Sequence, residues 1–313
     1  MANNTWEPMK GDELPSSLFK YQILCTKHLH ELQDDFEVLD TAGKISHNTV
    51  FRSYVGTNTH ELPASFLDAK SIVIIAVFTP LLTANFHYNG ESHQILVPHY
   101  YEDGITEEHL KNTIKNQIIG HNGYRIENAK TSVLLKRLAV RSGLGRYGRN
   151  NLCYVDGFGS FVRLHAFFTD FEFEEDNWIE AKIMDSCEKC KICQNNCPTG
   201  SINDENFVID IEKCIPLYNE IPGEFPWWIN PESHNALMGC MKCQLICPAN
   251  NEVVKLTQTL EDVSEEETKA LLEGNPTDDQ IASLSKKTKM FIPEHASYYV
   301  PVLSRNLRAL IGQ

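Results

Sequence analysis

The sequence predicts an α/β domain, then a small cysteine-rich domain, then a short helical tail. Three observations carry this. Helix-like and strand-like patterns are interleaved from residue 14 to residue 170. Eight of the ten cysteines lie between Cys187 and Cys247. Beyond Asn250 the pattern turns helical and acidic. The expected boundaries are residues 1–175, 176–250 and 251–313. With 313 residues and 42% hydrophobic content, the chain can bury one sizeable core and a smaller one.

The elements follow in order. Leu14, Leu18, Tyr21, Cys25, Leu29 and Leu32 recur at three- and four-residue steps, which predicts a helix over 14–35. Pro15 suits its first turn, where a missing N–H costs nothing. Ser71–Thr79 is a continuous apolar run rich in β-branched residues, predicting a strand buried on both faces in a parallel or mixed sheet. Pro80 ends it. Glu107–Ile119 reads as a helix, as does Ser132–Ser142, which Gly143 stops. Cys153–Val155 and Ser160–Thr169 read as strands around the turn Asp156-Gly157. The acidic stretch Phe171–Asp176 reads as a linker. In the tail, Glu261–Leu272 reads as helical, and Val302–Ile311 as an amphipathic helix packed on the core.

Net charge is −14, which disfavours non-specific binding to nucleic acid. One basic stretch stands against it: Lys136, Arg137, Arg141, Arg146 and Arg149, with no acidic residue between them. It is either a solvated helix face or a binding patch. No apolar run approaches the roughly 20 residues that a membrane helix needs. The first residues lack a basic region followed by an apolar stretch. A cytoplasmic protein with no membrane partner is expected.

The cysteines are the most specific feature. Cys187, Cys190, Cys193 and Cys197 read C-x2-C-x2-C-x3-C, and Pro198 follows. This is the bacterial ferredoxin run, in which three thiolates wrap one [4Fe–4S] cube and the fourth ligates another. A second run, Cys240, Cys243 and Cys247 with Pro248, lacks one cysteine, which Cys214 can supply. Crossover in both runs gives two ligand sets. The first is Cys187, Cys190, Cys193 and Cys247; the second is Cys197, Cys214, Cys240 and Cys243. Zinc pairs usually read C-x2-C twice, without a close third cysteine or Cys-Pro junctions, so the spacing favours iron–sulfur. Disulfides are disfavoured in a cytosolic chain. Cys25 and Cys153 sit among apolar residues and read as packing residues.

Leu138–Leu152 (LAVRSGLGRYGRNNL), Gly159–Asp170 (GSFVRLHAFFTD) and the cysteine runs resemble epoxyqueuosine reductases in order and approximate spacing. Pro63–Ile74 (PASFLDAKSIVI) is similar to the segment before that family's first core strand. The resemblance covers about residues 60–250. It implies a nitroreductase-like α/β domain that binds cobalamin, followed by a ferredoxin-like domain with two [4Fe–4S] clusters. It implies reduction of an epoxide in a tRNA anticodon by a cobalt(I) centre, with an acid supplying a proton. Reductive dehalogenases are more distantly similar. The implied cofactor-binding residues are Arg141, Gly143, Gly145, Gly148, Asn150, Asn151 and Ser160. Gly143 also has a plainer reading, as a helix C-cap.

Three departures bear on function. The family's acid upstream of the glycine loop falls at Ala129 here. Its Asp-Tyr-His motif is missing, the nearest stretch being 98–103. The segment after residue 250 is short. Substitute proton donors are Glu127, Tyr100, Tyr101 and His165. The expected function is an iron–sulfur and cobalamin-dependent reductase, a divergent paralogue with a small-molecule substrate in preference to tRNA. It would draw electrons from a donor such as a ferredoxin or flavodoxin. The alternative is a non-catalytic electron-transfer protein with two clusters.

Overall fold

The run Ser71–Phe78 places seven residues, Ser71–Val77, almost entirely out of solvent. Its two faces serve two cores. Ile72, Ile74 and Ala76 enter one apolar cluster, and Val73, Ile75 and Val77 enter another. That is a period of two with both faces covered. The computed structural model describes residues 11–56, 58–98, 104–204 and 208–312.

In chain order the elements begin with β1 (Phe19–Cys25), α1 (Leu29–Thr41), α2 (Thr49–Val55), β2 (Ser71–Phe78), β3 (Leu82–Tyr88) and β4 (Glu91–Leu96). They continue with α3 (Glu107–Thr113), β5 (Ile126–Asn128), α4 (Leu135–Arg141), β6 (Arg146–Tyr147), β7 (Cys153–Tyr154) and β8 (Val162–Thr169). The main sheet has the order β1-β2-β8-β5. Leu29 and Leu32 of α1 with Leu138–Val140 of α4 cover one face of it. Leu14, Leu110 of α3, Ile114 and Ile119 cover the other.

The helix expected over 14–35 is corrected. Phe19–Cys25 pairs antiparallel along the whole of β2, from Phe19 opposite Val77 to Cys25 opposite Ser71. Strand pairing on a buried neighbour overrides a weak helical spacing. Pro15 lies in a turn, its carbonyl accepting from the Leu18 N–H at 2.9 Å. The parallel or mixed sheet is corrected too. β1·β2, β2·β8 and β5·β8 are all antiparallel. Helices on both faces bury β2 without any parallel pairing.

Other expectations meet the structure closely. α3 runs on into π-helical turns at Ile114–Ile119 and stops at Gly120, in the left-handed region. α4 is followed by Gly143 at φ +75°, the C-terminal glycine geometry. The acidic stretch is no free linker. Phe171 and Phe173 pack on the second core, and the Asp176 carboxylate accepts the Cys25 N–H at 3.0 Å and pairs with Lys27 at 2.6 Å.

The cysteine-rich segment is built of short turns: α5 (Ile192–Asn195), α6 (Pro216–Asn219) and α7 (Lys242–Leu245). The tail adds β9 (Gln258–Thr259), α8 (Glu265–Glu273), α9 (Asp278–Thr288) and α10 (Ala296–Ile311). Val302, Leu303 and Leu307 of α10 are buried, as the amphipathic pattern predicts. They share a core with Leu82, Ala84 and Phe86 of β3. The hairpin β3–β4, turning at Asn89-Gly90 with both residues at positive φ, therefore packs on the tail.

Candidate functional site

The eight cysteines fall into two neighbourhoods. Cys187 and Cys193 lie within electrostatic reach of Cys190 and Cys247. Cys214 and Cys240 lie within reach of Cys197 and of each other. Cys243 faces Cys240 and Cys214, and across the gap Cys193. Burial, then like-charged thiolate neighbours, pushes the Cys193 thiol up to about 11 and the Cys214 thiol up to about 12. Metal binding must displace those protons. Among the described residues, no three His, Cys, Asp or Glu side chains close on a point as a single ion would require.

The other two cysteines stay outside both groups. Cys153 is buried in the main core and Cys25 is half-buried at a sheet edge.

The glycine loop wraps around the first cysteine run. The Arg149 guanidinium donates to the carbonyls of Cys190 at 2.8 Å, Cys187 at 2.7 Å and Glu188 at 3.2 Å, and pairs with Asp204 at 3.0 Å. Asn150 is buried and donates to the Tyr154 hydroxyl at 3.0 Å. Ser160 donates to Gln244 at 3.0 Å, and its N–H donates to Asn250 at 2.9 Å. Both partners belong to the second cysteine run and its end.

The glycines are explained by protein contacts. A Cβ on Gly145 would lie 2.5 Å from the Cys153 sulfur. One on Gly148 would strike the Tyr154 ring, and one on Gly159, at φ +56°, the Asn250 amide. Arg141 points elsewhere, to Glu31 at 3.3 Å and over the Trp178 ring at 4.2 Å.

The basic stretch forms no free patch. Arg137 pairs with Asp35 at 2.8 Å, Lys136 donates to the Asn151 carbonyl at 3.1 Å, and Arg146 stands 3.7 Å from Asp185. Of the proposed donors, Tyr100 and Tyr101 lie outside the described residues, as does most of the stretch 98–103. Glu127 is paired with Arg125 and accepts the Ser65 hydroxyl at 3.4 Å. Burial, then the charges of Arg163 and Lys130, pushes His165 down to about 4, so its ring is neutral at pH 7. Ala129 is fully buried in the main core.

Two cavities flank the clusters. One of about 690 Å³ lies over the glycine loop, lined by Gly143, Gly145 and Arg146 and by segments beside the first set, 184–186 and 248–249. The other, about 410 Å³, is mostly apolar. Leu32, Phe36, Phe51 and Val133 line it, and so do Lys136, Tyr147, Asn151 and Ile211, three residues before Cys214. Tyr147 was not among the expected site residues, since a tyrosine inside a glycine loop carries no signal of its own.

Residues 186–250 match the model of a 4Fe–4S double cluster binding domain. The chain carries a two-cluster iron–sulfur domain. The chain is similar to epoxyqueuosine reductases, in sequence over part of its length and in fold over most of it. The Escherichia coli (strain K12) epoxyqueuosine reductase is 36% identical over 119 residues, covering 38% of this chain and 30% of that protein. The Bacillus subtilis epoxyqueuosine reductase structure aligns with a TM-score of 0.65 at 21% identity, over 93% of this chain and 77% of that one. An epoxyqueuosine reductase crystallised with an epoxyqueuosine-modified tRNA stem loop aligns at 0.64 and 19% identity, over 93% and 76%. The matched stretch spans about a third of the curated relatives, 37% and 30% of the first two. Among the described residues, no helix is long and apolar enough to cross a membrane.

Proposed function

We propose that this chain is an iron–sulfur and cobalamin-dependent reductase of the epoxyqueuosine-reductase type, acting on a small electrophile. One observation carries the reading. The apolar cleft joins the residues beside Ala129, where the resemblance places the acid, to the segment leading into Cys214. It is lined by Lys130 and Val133 on one side and by Ile209 and Ile211 on the other. A reaction site fed by a cluster needs that adjacency.

The lining suits a macrocycle with polar edges. Leu32, Phe36 and Val133 offer apolar walls, and Lys136 and Asn151 offer polar groups near the loop. The cleft opens to solvent, so a group larger than its 410 Å³ can lie across its mouth. Cobalamin, when bound, supplies a strongly nucleophilic low-valent cobalt, and the protein supplies position, charge and exclusion of water. Ser160 ties the segment after the loop to Gln244 and Asn250 of the second cysteine run and its end. Asp35 fixes Arg137 at the cleft wall. Tyr147 holds a proton there: burial raises its pKa despite the neighbouring Arg137 charge. It therefore joins Tyr100 and Tyr101 as a donor.

The substrate reading rests on charge. A tRNA loop needs concentrated, available cations to meet its phosphates. Here Arg137, Arg141 and Arg149 are committed to carboxylates and carbonyls. A small molecule is therefore favoured, with a ferredoxin or flavodoxin as electron donor. The division into a cofactor domain (1–175), a two-cluster domain (176–250) and a helical tail (251–313) is part of the same proposal.

The test is anaerobic reconstitution with iron, sulfide and cobalamin, followed by gel filtration. About eight iron, about eight sulfide and one cobalamin are expected to elute with each chain. Clusters without retained cobalamin would overturn the reductase and leave an electron-transfer protein.

A further inference from the structure

We infer that Asn219 and Asn306 are positioning residues for the second cluster: they fix the Gly239 backbone against the helix after Cys214, and so set the spacing of the Cys214 and Cys240 thiolates. The inference rests on the iron–sulfur reading and on the assignment of Cys197, Cys214, Cys240 and Cys243 to one cluster. It is independent of cobalamin.

The two ligands stand on separate segments. Cys214 precedes α6, and its carbonyl accepts the Leu217 N–H at 3.1 Å. Asn219 ends that helix, its N–H donating to the Ile215 carbonyl at 3.0 Å. The Asn219 side chain then pairs with Gly239 as a neighbouring strand would. Its Oδ1 accepts the Gly239 N–H at 3.0 Å, and its Nδ2 donates to the Gly239 carbonyl at 2.6 Å. Gly239 sits at φ +69°, a conformation that suits glycine, and Cys240 follows it directly. Both polar backbone groups of Gly239 are thus held by one buried side chain.

The tail completes the clamp. Asn306 lies on α10 and, like Asn219, is fully buried. Its Nδ2 donates to the Asn219 carbonyl at 2.7 Å and to the Leu237 carbonyl at 2.8 Å. Its Oδ1 accepts from the Arg305 guanidinium at 3.0 Å and 3.2 Å, which fixes the way the amide faces. Asn306 therefore gives both hydrogens to the two segments that Asn219 joins. Arg305 also donates to the Tyr218 carbonyl in α6 at 3.0 Å. From the other side, the Leu237 N–H donates to the Leu96 carbonyl of β4 at 2.8 Å.

The second set needs this help and the first does not. Cys214 lies outside the close run of cysteines, 26 residues before Cys240, so no local turn fixes its distance from that run. Residues behind the ligands must orient them. Loss of either amide leaves buried backbone groups without partners, which the two segments can relieve only by moving apart or admitting water. The first set is held by other contacts. Arg149 grips the carbonyls of Cys187 and Cys190, and the Cys247 carbonyl accepts the Asn250 N–H at 2.9 Å.

The experiment compares the reconstituted holoprotein with two variants under an anaerobic challenge by an iron chelator. Iron is counted per chain, and EPR of the reduced protein follows each cluster. Cys187→Ser and Cys214→Ser, each left with one cluster, supply the reference signals. Asn219→Ala removes both bonds to Gly239. Asn306→Asp keeps the shape and the oxygen that Arg305 holds, and removes both donated hydrogens. Both variants are expected to lose the second cluster's signal several-fold faster than wild type, falling toward about four iron per chain. The first cluster's signal is expected to decay at the wild-type rate. Wild-type retention of the second cluster in both variants would overturn the inference. So would loss of both clusters together in both variants, which assigns the two amides to the fold as a whole. A wild-type chain that takes up no clusters would overturn the iron–sulfur reading and the inference with it.

Discussion

Arg149 Nη1 lies 3.0 Å from Asp204 Oδ1, while Nε and Nη2 of the same guanidinium hold the carbonyls of Cys190 and Cys187. Asp204 also pairs with Lys191, inside the first cysteine run. The planar fork thus ties the glycine loop to the first cysteine run. A charged hydrogen bond contributes about 1.5–3 kcal/mol, and a buried carbonyl left without a donor costs a similar amount.

Arg149→Gln is therefore expected to loosen the first ligand set and spare the second. Iron should fall from about eight toward about four per chain on brief exposure to air. Iron and sulfide analysis, with visible absorbance, reads the outcome. Full retention of both clusters would show that the clamp is dispensable.

Cys197→Ser tests the crossover. Its thiolate is assigned to the set with Cys214, Cys240 and Cys243, of which Cys214 and Cys240 neighbour it. The variant should lose that cluster and keep the one on Cys187, Cys190, Cys193 and Cys247. EPR of the reduced protein distinguishes the two, and loss of the latter cluster alone would refute the ligand sets.

Gly159→Ala should destabilise the protein by about 2–3 kcal/mol. The residue sits at φ +56°, and its new Cβ would displace the Asn250 amide that accepts the Ser160 N–H. The thermal midpoint of the holoprotein should drop by several degrees. An unchanged midpoint would mean that the Ser160–Asn250–Gln244 network contributes little.

The tail carries a pH dependence through Glu267. Burial opposes its charge, yet Lys287 at 2.7 Å, Ser283 and Ser264 outweigh that and hold its pKa down at about 2. A folded pKa below the unfolded value gives stability that is complete above about 4.5 and fades as pH falls toward 2. With Lys287 partly solvated, the contribution is about 1–2 kcal/mol. Glu267→Gln should lower the unfolding midpoint at pH 7, and the gap to wild type should close as pH falls below 4.5. A gap constant with pH would deny the ion pair its role.

Turnover of epoxyqueuosine-containing tRNA should be weak or absent. Ala129 is sealed in the main core with no proton to give, and all five basic residues of the stretch already have protein partners. Reduced, cobalamin-loaded protein would be incubated with that tRNA and its nucleosides examined for queuosine by mass spectrometry. Multiple turnovers would reverse the substrate proposal and make a tyrosine, Tyr147 among them, the leading donor.

By itself the sequence determined what depends on local order. Thiolate spacing and Cys-Pro junctions specify iron–sulfur chemistry wherever the chain folds, because one short backbone turn must reach several irons. The eight-residue run of β2 and the buried stripe of α10 announce themselves, because their side-chain periods match their surroundings. Tertiary structure decided the rest. Phe19–Cys25 is a strand only because β2 lies beside it. Arg149 reads as one cation in a basic run until the carbonyls of Cys187 and Cys190 are seen around it. Gly145 and Gly148 give no sign in sequence of the Cys153 sulfur and the Tyr154 ring that a Cβ there would meet. In each case the deciding partner is distant in sequence or carries no motif, so only the folded chain could bring the two together.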